Sequence, residues 1–326
     1  MLSLRNLLGF LAMMTVFASC RQATGVVRGD DVPSDDSLVV LFTGDVLLDR
    51  GVRKAMAPHA ANWLLDRVAP YLRSADATVI NLECPLTDVS TPLGKRYVFR
   101  GDTCMAAMLR RAGITHATLA NNHTNDQGEQ GLRSTLEVLS RSGIVPMGCD
   151  TITGDMSRHV YPTVISRGRL HVAVFCAVML PLENWMPRSG DLTPCQPTIS
   201  QLANSIRRYR QLHPRHHVVC VLHWGVEFQT SPSLSQIRQS SILAQAGADA
   251  IIGHHPHVVQ LPRKGDPIPI FYSLGGFVFD HRHPLACEGA MVRLVVRQDS
   301  LATSLLPVRI RSCRPELDLS DRSKVQ

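Results

Sequence analysis

Apolar residues in this chain fall into short runs that stop abruptly at polar clusters. Leu38 to Phe42, Ala77 to Ile80, Ala117 to Leu119, Val218 to Leu222 and Ala248 to Ile252 are the clearest. Runs of this length read as buried strands. Ile144–Met147, Tyr161–Ser166, Leu170–Met179, Pro269–Leu274 and Phe277–Phe279 add further strands, and 290–296 and 304–310 read as an antiparallel pair. Helical stretches fall between them, at Asn62–Leu72, Met105–Ala112, Glu129–Ser140, Ile199–Leu212 and Ser235–Gln245. Leu132, Leu136 and Leu139 recur at helical spacing, and Gly113, Gly143 and Gly247 supply stops. Strand, polar loop and helix therefore alternate, which predicts an α/β architecture over residues 38–312. Pro181 to Pro197, with four prolines, reads as an irregular loop. It is a candidate lid or a variable insertion, and the pattern leaves both open. Residues 313–326 read as a polar tail.

The N-terminus has a different pattern. Arg5 precedes an uncharged apolar run from Leu7 to Phe17. The run is short for a membrane span and reads as a signal-peptide core. It closes on Phe17-Ala18-Ser19-Cys20, similar to a bacterial lipoprotein cleavage site, so residues 1–20 are expected as a signal peptide with Cys20 as the lipidation point. A plain signal peptide and an uncleaved anchor are the alternatives. Residues 21–37 are polar and read as a flexible tether. The expected location is therefore outside the cytoplasm, lipid-anchored to the bacterial envelope.

Composition narrows the partners. Hydrophobic residues make up 44% and charged residues 19%, which suits a packed globular chain. The net charge is +7, yet no run of five basic residues occurs and aromatics are only 5%, so no nucleic-acid stripe is expected. Diffuse positive charge favours polyanions. The nine cysteines lack CxxC pairs or regular spacing, and no disulfide framework is expected.

The chemistry collects where apolar runs end. Gly253-His254-His255-Pro256-His257 places three imidazoles within four positions. Asp45, Asn81 with Glu83, Asn122 with His123, and His223 close the other runs. Strand ends in open α/β sheets converge on one edge, where ligands bind. Two carboxylates, an amide and several imidazoles suit one or two divalent transition metals, zinc, manganese or iron. Each residue alone also fits a turn, a cap or a satisfied core histidine; joint position favours a shared site.

Six motifs carry a family resemblance: Thr43-Gly44-Asp45; Asn81 through Thr87; Ala120-Asn121-Asn122-His123 through Asp126 and Gly128; His223-Trp224-Gly225-Val226-Glu227 through Pro232 and Gln236; Gly247-Ala248-Asp249 through Val258; and Tyr272-Ser273-Leu274-Gly275. In this order they resemble the CapA family of poly-γ-glutamate capsule biosynthesis proteins, related to calcineurin-like metallophosphoesterases. The resemblance covers about residues 38 to 310 and implies a four-layer α/β/β/α sandwich. It implies metal ligation by Asp45, Glu83, Asn122, His223, His255 and His257, with Glu83 bridging and His123 as acid or base. His254, Asn81, Glu227 and Arg50 would contact metal, ligands or substrate. Leu47 stands where metallophosphoesterases carry a histidine, and Gly276 where relatives often carry Asn.

The resemblance implies a metal-dependent, hydrolase-like protein of capsule metabolism, acting on a phosphoester, acyl-phosphate or amide-linked polymer. Its partners would be an anionic polymer or phosphorylated substrate and a membrane capsule-synthesis complex. A non-catalytic polymer-binding or scaffold subunit is the alternative, and a secreted phosphatase unrelated to capsule a third.

Overall fold

The computed structural model describes residues 36–60, 62–152, 160–281 and 283–318. The expected signal peptide, Cys20 and most of the tether lie outside these residues. Among the described residues no helix is long and apolar enough to cross a membrane.

The first half of the chain builds β1 (Leu38–Val46), α1 (Arg50–Met56), α2 (Ala69–Leu72), β2 (Ala77–Leu82), α3 (Met105–Ala112), β3 (His116–Thr118), α4 (Gly128–Arg141), β4 (Val145–Met147) and β5 (Cys149–Thr151). The second builds β6 (Thr163–Arg167), β7 (Leu170–Val178), β8 (Leu192–Pro194), α5 (Ile199–Leu212), β9 (His217–His223), α6 (Leu234–Ala246), β10 (Ala250–His254), β11 (Val259–Gln260), β12 (Ile270–Phe271), β13 (Ser273–Leu274) and β14 (Gly276–Val278). Three antiparallel strands finish it: β15 (Glu288–Arg297), β16 (Ser300–Arg311) and β17 (Arg314–Leu317).

Two sheets result. One runs β17-β16-β15-β1-β2-β3-β4, with β14 also paired to β1; the other runs β12-β10-β9-β7-β6. β1 to β4 are parallel, as are β7, β9, β10 and β12. The period-two alternation of side chains then sorts three cores. Leu38, Val40 and Phe42 of β1 meet Val172, Val174 and Cys176 of β7, Val219 and Val221 of β9 and Ile252 of β10 between the sheets. The intervening Phe175, Cys220 and Ile251 face the other way, onto α5 and α6 residues Leu202, Ile206 and Leu243. Leu41, Ile80 and Leu82 turn from the first sheet to Leu109 and Leu132 of α3 and α4. The order helix, sheet, sheet, helix is the four-layer sandwich. Phe175 is fully buried, and truncation to Ala costs about 3–5 kcal/mol.

The helices follow their end signals. Thr198 with Gln201 and Ser233 with Gln236 form capping boxes at the starts of α5 and α6. Gly113 and Gly247 adopt φ of 110° and 109° at the C-caps of α3 and α6.

Five details differ from the sequence reading. The helix expected over Asn62–Leu72 is mostly turns, with α-helix only at Ala69–Leu72, and the helix Arg50–Met56 was not anticipated. The 181–197 loop contains β8, paired antiparallel with β5. Pro269–Leu274 divides between two sheets, because β12 pairs with β10 and β13 with β11. Residues 314–317, within the expected polar tail, add an edge strand to β16. The eight described cysteines form no disulfide among themselves, and Cys176 and Cys220 are buried.

Candidate metal centre

The parallel strands of both sheets deliver their C-terminal ends to one place. Asp45 lies near the end of β1, Asn81 and Glu83 at and just past the end of β2, and Asn122 and His123 in the loop after β3. His223 is the last residue of β9 and His254 the last of β10; His255 and His257 occupy the turn that follows. Each sheet thus contributes roughly half of the donors.

Close backbone approach makes two glycines necessary here. A Cβ on Gly44 would sit 2.2 Å from the Gly275 carbonyl oxygen, and one on Gly253 would sit 2.0 Å from that of Tyr272. The chain past Gly253 is forced further: His255 and His257 hold φ of 96° and 58°, and Arg50 and Phe228 nearby hold 49° and 60°. Positive φ in bulky residues costs of order 1–3 kcal/mol each and clusters at functional sites.

Asp45 is fully buried. Its Oδ1 accepts from Asn81 Nδ2 at 2.8 Å and contacts His254 Nδ1 at 3.1 Å; Oδ2 contacts His257 Nδ1 at 2.9 Å. Burial pushes its carboxyl up, and the His254 and His257 hydrogen bonds outweigh that to hold it well below the usual range. Glu83 has the opposite fate. Burial, with Asp45, Glu227 and Asp126 nearby, raises its carboxyl well above the usual range. Its Oε1 is buried and unpartnered, 3.7 Å from His257 Nε2 and 3.8 Å from His223 Nε2.

His223 bridges two amides. Its Nδ1 lies 3.3 Å from Asn81 Nδ2 and its Nε2 2.8 Å from Asn122 Oδ1, so the neutral ring carries its proton on Nε2. Burial first, then the neighbouring His255, lowers its pKa well below the usual histidine range. His255 is lowered to about 3, chiefly by burial and then by His257, and its Nδ1 is buried without a partner. A neutral imidazole is the form that binds metal.

Three donor groups follow from this packing: Glu83–His223–His255, Asp45–Glu83–His257 and Glu227–His255–His257, with the ligand atoms of each group within 4.8 Å of one another. Glu83 belongs to two of them. Unpartnered Oε1 and Nδ1 atoms, a carboxylate raised by other carboxylates and neutral imidazoles together form a donor set that fits a divalent transition metal. His254 takes a different part: it lies in none of these groups and hydrogen-bonds Asp45. Leu47 is fully buried in the core beneath the helices of the first sheet. Glu227 is exposed. Its loop is anchored by Gln236 Nε2 donating to Gln260 Oε1 at 3.0 Å, and by Gln260 donating to the Gln229 and Ser231 carbonyls.

His123 borders the cluster. Its Nδ1 lies 2.8 Å from Asp126 Oδ2, and its ring centroid is 4.2 Å from that of Phe99. Asp126 is fully buried, also pairs with Lys95 Nζ at 2.5 Å and accepts from the Phe99 amide at 2.7 Å. Burial lowers the His123 pKa, and the Asp126 hydrogen bond opposes that shift.

Arg50 was nominated from the resemblance, whereas Asp280, His281 and Lys95 escaped the sequence reading. Arg50 pairs with Asp280 at 2.6 Å and lies 4.6 Å over Phe99 and 5.9 Å from Phe279. Asp280 also accepts from the Gly51 amide at 2.9 Å, which ties α1 to the end of β14. His281 stacks on Phe279 at 4.2 Å, lies 4.7 Å from His257 and has a buried unpartnered Nε2. The only sequence signal for it was a histidine shortly after an apolar run, without a cluster. Lys95 gave no signal, since its loop has no periodicity.

A sequence model of the family described as "Bacterial capsule synthesis protein PGA_cap" matches residues 39–281. The chain is 27% identical over 333 residues to the capsule biosynthesis protein CapA of Bacillus anthracis, spanning 98% of this chain and 79% of that one. It is 26% identical over 286 residues to the PGA biosynthesis protein CapA of Bacillus subtilis (strain 168), spanning 86% and 74%. Superposition on the NAD nucleotidase of Haemophilus influenzae gives a TM-score of 0.48 at 13% identity, over 88% of this chain and 55% of that one. The chain therefore spans little more than half the length of that nucleotidase.

Proposed function

This chain belongs to the PGA_cap family of bacterial capsule synthesis proteins, and from that membership and the strand-end cluster we propose that it is an exported, envelope-tethered, metal-dependent hydrolase of capsule polymer metabolism. The observation that carries the reading is Glu83 Oε1, buried and unpartnered beside His223 and His257. A buried carboxylate in that state costs several kcal/mol unless a cation offsets it. Asp45, Glu83, Asn122, His223, His255 and His257 would hold one or two divalent ions of the zinc, manganese or iron type. Sharing of Glu83 between two donor groups suits a pair of ions. When bound, such ions supply Lewis acidity and lower the pKa of a coordinated water.

The chain's own groups supply the rest. Asp126 holds His123 through Nδ1, which leaves Nε2 as the ring's free nitrogen. His123 would donate a proton from Nε2 to the leaving oxygen or nitrogen of the scissile bond, and Asp126 would keep the ring oriented and favour its cationic form. Lys95 holds Asp126 in place. Arg50, fixed by Asp280, would contact an anionic substrate group. Substrates of this chemistry are a phosphoester, an acyl-phosphate or an amide-linked polymer of acidic residues.

The test is metal content of the purified protein, together with hydrolysis of a generic phosphodiester and of poly-γ-glutamate. Glu83→Ala should lose metal and turnover together. Unchanged turnover in Glu83→Ala would remove the proposal. A polymer-binding or scaffold role has one observation in its favour, the burial of Leu47 where a histidine ligand would stand. It predicts bound metal with no turnover of either substrate.

A further inference from the structure

A concentration of arginine and histidine side chains lies at the end of the sheets opposite the strand-end cluster. A cavity of about 430 Å³ is lined by Arg169, His171, Arg215, His216, His217 and Arg297, among others. It sits where β7 and β9 begin and where the β15–β16 turn closes. β9 spans seven residues from His217 to His223, so the cavity is roughly 20 Å from the strand-end cluster.

The histidines are pinned. Ser166 Oγ lies 2.8 Å from His171 Nδ1, and Tyr209 Oη lies 2.8 Å from His216 Nδ1. Each hydroxyl can donate to Nδ1, which puts the ring proton of the neutral imidazole on Nε2 as a donor. The two rings stack at 4.3 Å. Stacked imidazoles do not converge on one ion, and these residues form no metal-donor group among the described residues. The nearby carboxylates are engaged or outside the cavity. Asp249 is held by Arg210, His217 and the Val218 amide; Asp76 is held by Arg167; Asp299 lies in the β15–β16 turn and does not line the cavity. Arg169, Arg215 and Arg297 have no carboxylate partner among the described residues.

These three guanidinium groups come from three segments: the β6–β7 turn, the α5–β9 loop and the end of β15. Charges spread around a cavity in this way suit several linked anions better than one point ion, and the guanidinium fork matches carboxylate geometry. We propose that this cavity is a second binding site, for the carboxylates of an extended polyanionic chain. The cavity's preference for anions rests on its own residues; the choice of a carboxylate polymer rests on the capsule reading above.

The test measures binding of fluorescently labelled poly-γ-glutamate to the whole protein by anisotropy over a range of salt concentrations. The triple variant Arg169→Ala, Arg215→Ala, Arg297→Ala should weaken binding about tenfold or more and flatten its salt dependence. A charge-matched control, Arg141→Ala, Arg238→Ala, Arg311→Ala, should change it less than about twofold. Equal loss in both triples, or none in the first, overturns the site. Inorganic phosphate and free glutamate serve as competitors, and each should displace the polymer only weakly. A wild-type protein that binds phosphate through these arginines and does not bind the polymer overturns the carboxylate assignment. Metal content and phosphodiester turnover of the first triple should match wild type. Loss of turnover in Glu83→Ala with polymer binding intact is expected, and polymer binding in a protein without turnover would sink the hydrolase reading alone.

Discussion

Asn122 and His223 stand 101 positions apart in sequence and meet through a 2.8 Å contact between Oδ1 and Nε2. The contact joins the loop after β3 in the first sheet to the end of β9 in the second. Asn122 is half-buried, so Asn122→Ala should leave the metal-free fold intact. Its metal affinity should fall about 10–100-fold. Titration with zinc or manganese, paired with a thermal melt of the metal-free protein, checks both halves; unchanged affinity would place Asn122 outside the ligand set.

Glu83 yields a prediction with two signs. Its folded-state carboxyl is raised above the unfolded value, so the unfolded chain loses this proton first. The associated stability is present below about pH 4.3 and lost as pH rises through the folded pKa. Metal-free Glu83→Gln should therefore be more stable than wild type at pH 7–8, with the gap closing toward pH 4. In the pH range where the raised Glu83 carboxyl still holds its proton, metal binding should release that proton in wild type and not in Glu83→Gln. Denaturation curves and calorimetry in buffers of different ionisation enthalpy read these outcomes.

His123 and Asp126 can be separated. His123→Gln should lower turnover about 100-fold with metal content unchanged. Asp126→Asn also strands the buried Lys95 charge, since the 2.5 Å pair is lost. That variant should lose about 3 kcal/mol of stability as well as turnover. Steady-state kinetics beside urea denaturation distinguishes them; equal stability of the two variants would argue against a buried Lys95–Asp126 pair.

His116 gives a pH effect away from the cluster. Burial lowers its pKa to about 4, against about 6.5 in the unfolded chain. The unfolded state binds the extra proton between those values. Stability is therefore complete above about pH 6.5 and falls as pH drops toward 4, by at most about 3 kcal/mol and less because the ring is partly exposed. Urea midpoints from pH 7.5 to 4.5 should drop more for wild type than for His116→Gln.

Strand positions and their terminal polar groups were legible because period-two burial and abrupt ends leave a direct mark on sequence. Asp45, Glu83, Asn122, His223, His255 and His257 were all nominated from strand ends, and the fold brings them together. His281 was missed because its placement depends on stacking against Phe279. Lys95 was missed because its role depends on a carboxylate 31 residues later. The helix at Arg50–Met56 buries only Val52 and Met56, too few positions for a clear helical period. His254 and His255 could not be ranked by spacing. The strand ends at His254, and the positive φ of His255 turns the next ring toward His223, 4.9 Å away.

The split origin of the donors has a consequence for assembly. Asp45, Glu83 and Asn122 come from the first sheet, and His223, His255 and His257 from the second, with the Leu38–Phe42 and Val172–Cys176 faces packed between them. An ion held by both sets would act as a clasp on the mouth of the sandwich. Neither half of the chain could retain it alone, so tight metal retention would report that the two sheets have docked in register. A destabilised variant would then shed its ion before its secondary structure, and metal release would be the earliest sign of failing quality in this protein.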